Sequence, residues 1–339
     1  MDAGEKRRIG STKLNVSQMG FGAAPLGNLF AALSEAVAFE TIQTALAAGI
    51  RYFDTAPFYG HGLSEHRLGA ALRRVPRDDY VLSTKVGRLL VPGESHDLVD
   101  EQFHQPLPFD AVYDYSYDGV MRSFEDSLQR LGLSRIDILL IHDVDVWTHG
   151  TREAADARME EIMQGGYRAM VKLRDEGVIG AIGAGLNEWQ ACQRFAERGD
   201  FDCFLLASRY TLLEQTALET FLPLCQARNI SVIIGGPFNT GILATGAVEG
   251  AFYDYNAAPP EILARVRAIE AVCARHGVAL PAAALQFPLH HPAVAAIIPG
   301  ARAVDEVTRN GATLGADIPT ALWTELKAEG LIQAGAPTP

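Results

Sequence analysis

The sequence is poor in cysteine and has no paired cysteine motif. Four cysteines occur in 339 residues, and no two of them form a C-x-x-C pair. So few and so widely spaced thiols exclude a disulfide framework, and they are typical of buried free thiols in a reducing cytoplasm. We predict no metal site. The four residues are Cys192, Cys203, Cys225 and Cys273.

Long apolar runs and an excess of positive charge are also absent. No stretch approaches the roughly 18 consecutive apolar residues that span a bilayer, and the N-terminal MDAGEKRRIG lacks the apolar core of a signal peptide. Acidic residues number 41 against 29 lysines and arginines, a net charge of −12, which disfavours nucleic acid and acidic membrane surfaces as partners. We therefore expect a cytoplasmic protein that acts on a small molecule. Its oligomeric state stays open.

No segment rich in proline, glycine and serine divides the chain, and the 32 glycines are spread among predicted turns. Hydrophobic residues make up 48% and charged residues 21% of the sequence, an ordinary globular balance that builds a sizeable core. We therefore expect one domain over residues 1–339.

Short, nearly continuous apolar segments alternate with longer segments of helical period, as is typical of buried parallel strands and their connecting helices. Eight such alternations favour an α/β fold, a (β/α)8 TIM barrel, with a doubly wound sheet as the alternative. Ser64 is predicted to cap a helix over residues 65–72, and Gly177 and Gly277 to end helices. The predicted strands are residues 18–21, 52–54, 81–85, 138–142, 181–185, 203–207, 231–235 and 296–299.

Two segments interrupt this alternation. RRIGSTKLNVS, residues 7–17, resembles a small hairpin that precedes the first barrel strand. Residues 88–118 separate the third strand from its helix, and a loop of that length is usually functional or disordered. Its aromatic content favours an ordered flap. The aromatic residues are Phe103, Phe109, Tyr113, Tyr115 and Tyr117.

Titratable residues end three successive predicted strands. Asp54, Lys85 and His142 close the apolar runs RYFD, YVLSTK and IDILLIH, and Tyr59 follows Asp54 on the next loop. Active sites of TIM barrels lie at these strand ends, so the four side chains should converge. A tyrosine has a pKa near 10, which a neighbouring ammonium lowers. The set therefore predicts proton transfer at one oxygen, as in carbonyl reduction or alcohol oxidation.

With these motifs in place, the sequence resembles the aldo-keto reductase superfamily. The carrying stretches are MGFGAAPLGN, FDTAPFYG, VLSTKVGR, RIDILLIHD, IGAGLNEW and IIPGAR. The resemblance implies a (β/α)8 barrel with Tyr59 as general acid/base, Lys85 and Asp54 as the pair that tunes it, and His142 beside the substrate oxygen. It also implies an NAD(P) cofactor, which supplies the hydride chemistry.

The sequence does not place that cofactor on a Rossmann fold. GFGAAPLG and GAIGAGLNE lack the G-x-G-x-x-G spacing. The resemblance instead puts the nicotinamide over the barrel mouth, where the family's Ser-Asn pair reads Leu186-Asn187 and Gly235 stands at the position of the usual stacking aromatic. Glu306 occupies a position where NADP users commonly have arginine, which favours NAD, with NADP as the alternative.

The implied ligand contacts fall into two groups. The expected cofactor-binding residues are Gly22, Asp54, Asn187, Gly236, Pro237, Phe238, Asn239, Gly241, Gly300, Arg302, Glu306 and Asn310. The expected substrate-binding residues are Pro25, Phe58, Tyr59 and His142, joined by Trp147 and Trp189 if these line the mouth.

Within the superfamily the likeness points to bacterial aldose 1-dehydrogenases of the L-fucose and D-threo-aldose type. It rests on FGAAPLGNLF, VYDYSYDGVMRSFEDSLQRLG, IGAGLNEW and ASRYTLLEQ. It implies oxidation of the anomeric C1 hydroxyl of an aldose to a lactone. The alternatives are an aldehyde or ketone reductase, a pyridoxal 4-dehydrogenase and, outside enzymes, a cofactor-sensing regulatory subunit.

Overall fold

Eight parallel strands form one sheet in the computed structural model, which describes residues 1–93 and 102–339. In hydrogen-bonded order across the sheet, the barrel strands are β14 (Val294–Ile298), β11 (Ser231–Gly235), β10 (Cys203–Ala207), β9 (Ala181–Leu186), β8 (Ile138–His142), β5 (Val81–Val86), β4 (Tyr52–Asp54) and β3 (Phe21–Gly22). Parallel bridges from Met19 to Ile297 and from Gly22 to Gly300 join the two edges, so the sheet closes into the predicted barrel and the doubly wound alternative is wrong.

Alternate residues of each strand point into the barrel, because side chains in a strand alternate between its two faces. On β8, Ile138 and Leu140 belong to the inner core, whereas Leu139 and Ile141 pack against the helices. His142 continues the inward set at the carboxyl end of the strand. Burial on both faces explains why these strands are almost uniformly apolar in sequence.

The helices surround the barrel. Short turns lie between these elements. The 3-10 turns are at Ala24–Gly27, Arg77–Asp79, Thr216–Leu218 and Asn239–Gly241, and a π-helical turn is at Ile162–Gly166. The helices are α1 (Glu35–Ala47), α2 (Leu63–Leu72), α3 (Tyr117–Leu131), α4 (Val146–His149), α5 (Arg152–Glu161), α6 (Tyr167–Asp175), α7 (Trp189–Arg198), α8 (Phe221–Ala227), α9 (Ile242–Thr245), α10 (Pro260–Arg275), α11 (Leu280–Leu289), α12 (Val304–Leu314) and α13 (Thr320–Ala328).

The predicted helix cap at Ser64 is wrong. Helix α2 begins at Leu63, after Gly62, and Ser64 is buried with its hydroxyl donating to the carbonyl of Ala23 and bonded to Thr55. Ser64 therefore fastens the helix to the loops at the barrel mouth. Gly177 and Gly277 follow α6 and α10 with φ of +72° and +65°, the left-handed conformation that ends helices, as predicted.

Three antiparallel strand pairs flank the barrel in the part of the chain that the structure describes. The predicted N-terminal hairpin is present as antiparallel β1 (Lys6–Arg8) and β2 (Asn15–Ser17). In the predicted flap, β6 (Arg88–Pro92) pairs antiparallel with β7 (Phe109–Tyr113). Residues 94–101 of the flap lie outside the described residues, and Tyr117, predicted in the flap, begins α3. After β11, the strands β12 (Phe252–Tyr253) and β13 (Asn256–Ala257) form another hairpin.

The four cysteines are free and buried, as predicted. In the part of the chain that the structure describes, no single helix has the length and apolarity to cross a membrane. Helices α10 and α11 reach that length and apolarity only when they are taken together, and the pair is bent by 97°.

Candidate active site

Three inward-facing side chains meet at the carboxyl ends of β4, β5 and β8. Asp54 lies beside Ser83 in the register of β4 and β5, and His142 lies beside Gly185 in that of β8 and β9. Lys85 crosses the space between them, with its Nζ 2.7 Å from Asp54 Oδ2. Glycine at 185 leaves room for this path, because a Cβ there would lie in tight contact with Lys85 Cε, at 3.2 Å.

Tyr59 reaches the same point from the loop after β4. Its Oη accepts a hydrogen bond from Lys85 Nζ at 2.9 Å, and its ring is edge-on to His142 with centroids 5.8 Å apart. Gly27 packs directly against this loop, because a Cβ at Gly27 would lie 2.5 Å from the carbonyl carbon of Tyr59. The backbone of Tyr59 is therefore fixed by a contact that only glycine permits.

Lys85 is held as a fully bonded ammonium. Its Nζ donates to Asp54, to Tyr59 and, at 2.9 Å, to the carbonyl of Thr55, which uses all three of its protons. Asp54 is held in turn by the Ser83 hydroxyl at 2.6 Å. Burial lowers the pKa of Lys85, but Asp54 and Tyr59 more than offset this, so its pKa lies above its ordinary value.

Burial governs the two groups that face the open space. Burial raises the pKa of the Tyr59 phenol, and Lys85 opposes this shift without reversing it. As expected, Lys85 lowers the phenol pKa. The expectation that this pKa lies below its ordinary value is wrong, because burial has the larger effect. Burial also lowers the pKa of His142 well below its ordinary value, helped by the positive charges of Arg88 and Lys85. Tyr59 is thus protonated and His142 neutral at pH 7.

Tyr59, Lys85 and His142 line a cavity of about 500 Å³, within the range of small-molecule sites, and Asp54 lies behind Lys85. Phe58, Tyr59 and Phe103 form an aromatic wall, with Phe58 and Phe103 edge-on at 5.3 Å. The lining residues are Ala24, Leu29, Phe58, Tyr59, Lys85, Arg88, Gln102, Phe103, Tyr113, His142, Asp143, Trp147, Thr148, Gly185, Leu186, Asn187, Leu205, Ala207 and Tyr255.

The cavity wall on β9 and β10 suits a flat heterocycle. It consists of Gly185, Leu186, Leu205 and Ala207, which are small or apolar, with Asn187 at its edge. The Nδ2 of Asn187 donates to Asp143 at 3.2 Å and to Asp145 at 3.3 Å. Because Nδ2 is engaged, the side-chain carbonyl of Asn187 is the atom that would accept a hydrogen bond from a ligand.

A second group of expected cofactor residues follows β11. Gly236 is exposed with φ of +55°, and no atom lies within 4 Å of a Cβ position at Gly241. Asn239 is buried, with its Oδ1 accepting from Thr211 at 2.6 Å and its Nδ2 donating to the Ser208 carbonyl at 3.1 Å. Its side chain therefore holds the loop in shape. Pro237 is buried and Phe238 packs on the core, so this loop offers backbone to a ligand at its glycines.

The third group lies after β14, next to β11 and β3. Glu306 accepts from the backbone N–H of Arg302 at 2.7 Å and from its guanidinium at 3.1 Å. Arg302 is therefore paired with Glu306. Asn310 is one turn further along α12, and Gly300 bridges to Gly22. Taken with the apolar wall and the uncovered glycines, these residues fit an extended dinucleotide that crosses the mouth.

Two expected substrate residues lie elsewhere. Pro25 packs against Gly300, where a Cβ would meet its Cγ at 2.9 Å, and it is not among the described residues that line the cavity. Trp189 donates its indole N–H to Thr216 at 3.0 Å and is likewise not a lining residue there. Phe58 and Trp147 do line the cavity.

Sequence reasoning missed Arg88, Asp143 and Tyr255. Arg88 Nη1 lies 2.9 Å from Asp143 Oδ2 inside the cavity, and Tyr255 reaches the cavity from the turn between β12 and β13. Asp143 directly follows His142, so its position at a strand end was a usable signal. Arg88 and Tyr255 gave no such signal. They lie in hairpins, and the sequence pattern of a hairpin does not show that it folds back over the barrel mouth.

The comparison with known families agrees with this barrel and its mouth. The profile described as the Aldo/keto reductase family matches residues 18–328. The chain belongs to this family. This aldo/keto reductase is therefore an NAD(P)-dependent oxidoreductase, of a family that typically acts on small carbonyl compounds or sugars.

Two similar relatives are dehydrogenases. The chain is 44% identical to a pyridoxal 4-dehydrogenase of Microbacterium luteolum, over 98% of this chain and 99% of the relative. It is 40% identical to a D-threo-aldose 1-dehydrogenase of a Pseudomonas species, over 96% of each.

Solved structures show the same fold. An aldo-keto reductase from Bacillus halodurans in its holo form superposes with a TM-score of 0.72 at 25% identity, over 98% of this chain and 97% of that one. A glycerol dehydrogenase from Gluconobacter oxydans gives a TM-score of 0.75 at 23% identity, over 99% and 98%. The second likeness is evidence of fold alone.

Proposed function

We propose that this aldo/keto reductase oxidises the anomeric C1 hydroxyl of an aldose of the L-fucose or D-threo-aldose type to a lactone, with NAD as the hydride acceptor. The observation that carries the proposal is the contact of Tyr59 Oη with the buried Lys85 ammonium at 2.9 Å, beside His142 and open to the cavity. This contact supports a proton-transfer site next to a wall that would suit a nicotinamide.

In this proposal each of the four residues has a separate task. Tyr59 accepts the proton of the anomeric hydroxyl. Lys85 favours the phenolate that must form, and Asp54, 2.7 Å away, holds Lys85. Because His142 is neutral, it offers one ring N–H to the reacting oxygen and orients it without adding a charge. The neutral state of His142 fits its task. Tyr59 must first lose its proton, a step that Lys85 favours and burial opposes.

The cofactor accepts hydride from C1 when it is bound. Asn187 would hold its carboxamide, the loop from Gly236 to Gly241 its pyrophosphate, and α12 its adenosine end. Glu306 supports NAD, because a carboxylate accepts hydrogen bonds from a ribose hydroxyl and repels a 2′-phosphate. Arg302 is paired with Glu306 and partly neutralises it, so we expect a preference for NAD rather than exclusion of NADP.

Pyridoxal and D-threo-aldoses, the substrates in the names of the two relatives, both form cyclic hemiacetals. An aldose closes its aldehyde with one of its own hydroxyls, and pyridoxal carries a hydroxymethyl group next to its aldehyde and closes in the same way. Oxidation of either ring hydroxyl gives a lactone. The polar side of the cavity, with Arg88, Asp143 and Asn187, favours a substrate rich in hydroxyls over a heteroaromatic ring.

One observation supports the reverse reaction as a second candidate. Burial raises the pKa of Tyr59, so the phenol is protonated at neutral pH and is ready to donate to a carbonyl. Reduction of an aldehyde would then need no prior loss of a proton.

A substrate panel tests the proposal. Aldoses, pyridoxal and simple aldehydes are assayed with NAD and NADP in both directions. We expect the largest kcat/KM for an aldose with NAD in the oxidative direction. Turnover of simple aldehydes alone, in the reductive direction, would contradict it and favour the second candidate.

A further inference from the structure

Asp143 is a charged residue next to the proton-transfer site, and the proposed reaction gives it no task. It follows His142 in a left-handed conformation with φ of +53°. Its Oδ2 lies 3.4 Å from His142 Nε2 and 2.9 Å from Arg88 Nη1, and its Oδ1 accepts from Asn187 at 3.2 Å. The carboxylate therefore touches residues from three different strand ends.

Arg88 holds this carboxylate rigidly. The guanidinium lies 4.4 Å from the ring centroid of Phe58 and 4.8 Å from that of Tyr113, and its Nη2 donates to Tyr113 Oη at 3.1 Å. Its side chain is 5% exposed. A planar cation between two rings has little freedom, so Asp143 is fixed before any ligand enters.

Asp143 keeps capacity to bind a ligand. A carboxylate has about four acceptor positions, and the three contacts above occupy at most three of them. Its side chain is 15% exposed and lines the cavity. An unfilled acceptor thus faces the space beside His142 Nε2.

We propose that Asp143 is a specificity-determining residue, which accepts a hydrogen bond from the hydroxyl on the carbon next to the one that is oxidised. This rests on the proposed function. In the proposed reaction the oxygen on C1 contacts both Tyr59 and His142, and Asp143 Oδ2 is 3.4 Å from His142 Nε2. The oxygen on the adjacent carbon of a sugar ring is therefore the one that reaches Asp143.

The contact selects hydroxylated substrates over their deoxy counterparts. A hydrogen bond to a buried charged group separates such pairs by about 10- to 100-fold in kcat/KM. The selection arises because a deoxy substrate leaves the largely buried carboxylate short of a donor.

The test compares an aldose with its 2-deoxy counterpart. The aldose is the best substrate in the panel, and the readout is the ratio of the two kcat/KM values. Asp143→Gly removes the carboxylate at a position where glycine tolerates the positive φ. The double variant Arg88→Met, Asp143→Gly also removes the carboxylate, and it does not leave Arg88 as an unpaired buried charge.

The matched control is Asp137→Asn. Asp137 is another buried aspartate bound to arginine, 2.6 Å from Arg77, but it precedes β8 at the opposite end of the strand. Its loss lowers stability without touching the cavity, so the ratio of kcat/KM should stay at the wild-type value. Comparing ratios between variants cancels the intrinsic reactivity of the 2-deoxy sugar.

We expect a wild-type ratio of about 10 to 100 that falls to about 1 to 3 in both Asp143 variants. An equal ratio in the wild-type protein, or an unchanged ratio in a folded Asp143 variant, overturns the role of Asp143 while the proposed function stands. If no aldose is oxidised at all, the proposed function and this inference both fail.

Discussion

At the scale of single residues, two opposing effects set the state of Tyr59. Burial raises the pKa of its phenol, and the ammonium of Lys85, 2.9 Å away, opposes that shift. Since burial prevails in the free protein, oxidation should speed up with rising pH, as more of the enzyme carries a phenolate. Lys85 then determines how alkaline the solution has to be.

Replacement of Tyr59 by phenylalanine tests the proton-transfer role. We expect turnover to fall by about 10² to 10⁴, the usual contribution of a general acid or base. Cofactor affinity, measured by quenching of tryptophan fluorescence, should change little because Tyr59 is a minor part of the expected cofactor contacts. Tyr80→Phe is the control, since it removes a buried hydroxyl that has no hydrogen-bond partner among the described residues. A folded Tyr59→Phe enzyme with most of its activity would remove Tyr59 from the mechanism.

Lys85→Met should shift the pH–rate profile of oxidation to higher pH as well as lower the rate. Loss of the ammonium leaves burial and the negative charge of Asp54 to raise the phenol pKa unopposed. The profile of kcat/KM against pH provides the measurement. Lys172→Met, which breaks an exposed pair with Glu176, should leave the profile in place. An unshifted profile in a still-active Lys85 variant would disprove the coupling.

Individual residues also show where sequence reasoning succeeds. Asp54, Lys85 and His142 were predictable because each ends an apolar strand, and adjacent parallel strands end at one place. Arg88 was not, since its partner Asp143 lies 55 positions away in the chain. Its orientation is fixed by two rings, Phe58 from the loop after β4 and Tyr113 from β7. The net pKa of Tyr59 was mispredicted because desolvation depends on burial, which no motif encodes.

At the scale of elements, the inner strands were predicted more accurately than the two that close the barrel. The strands β4, β8, β10 and β11 have the predicted bounds, whereas β3 contains only Phe21 and Gly22 and β14 starts at Val294. The closing strands meet through isolated bridges, so they have fewer ladder hydrogen bonds to mark their ends. The helix start at Leu63 was missed because Ser64 is bonded across to other loops.

The packing of the turn Ala24–Gly27 on the Tyr59 loop predicts a sensitive position. Gly27→Ala should lower kcat at least about tenfold and reduce stability by about 1–3 kcal/mol, because the new methyl group displaces the Tyr59 backbone. The steric cause is a Cβ position 2.5 Å from the Tyr59 carbonyl carbon. Gly335→Ala, where no atom lies within 4 Å, is the control. Equal activity of the two variants would show that the Tyr59 loop adapts.

At the scale of the whole molecule, the barrel mouth has two parts with different tasks. The ends of β4, β5 and β8 carry the proton-transfer residues, and the ends of β11 and β14 carry glycines, Arg302 and Glu306. The family and fold were predictable from ordered motifs along the chain. The choice between NAD and NADP was not, since it depends on where the half-buried side chain of Glu306 on α12 points.

Glu306→Arg tests that choice. The change replaces a carboxylate by a guanidinium, which can bind a phosphate through two contacts, and it also frees Arg302 from its 3.1 Å pair. We expect the ratio of kcat/KM for NADP to that for NAD to rise at least about tenfold. Asp305→Arg is the control, because this exposed neighbour is paired with Arg309 instead. An unmoved ratio would mean that Glu306 does not face the adenosine end.

The central claim is that C1 of a cyclic hemiacetal loses a hydride while Tyr59 takes the proton. The most direct measurement uses an aldose deuterated at C1 with NAD, followed by NMR before the product hydrolyses. The account predicts deuterium at C4 of the reduced nicotinamide and a lactone as the first product, with both absent in Tyr59→Phe. Deuterium retained in the sugar product, or a free acid formed without a lactone, would contradict it.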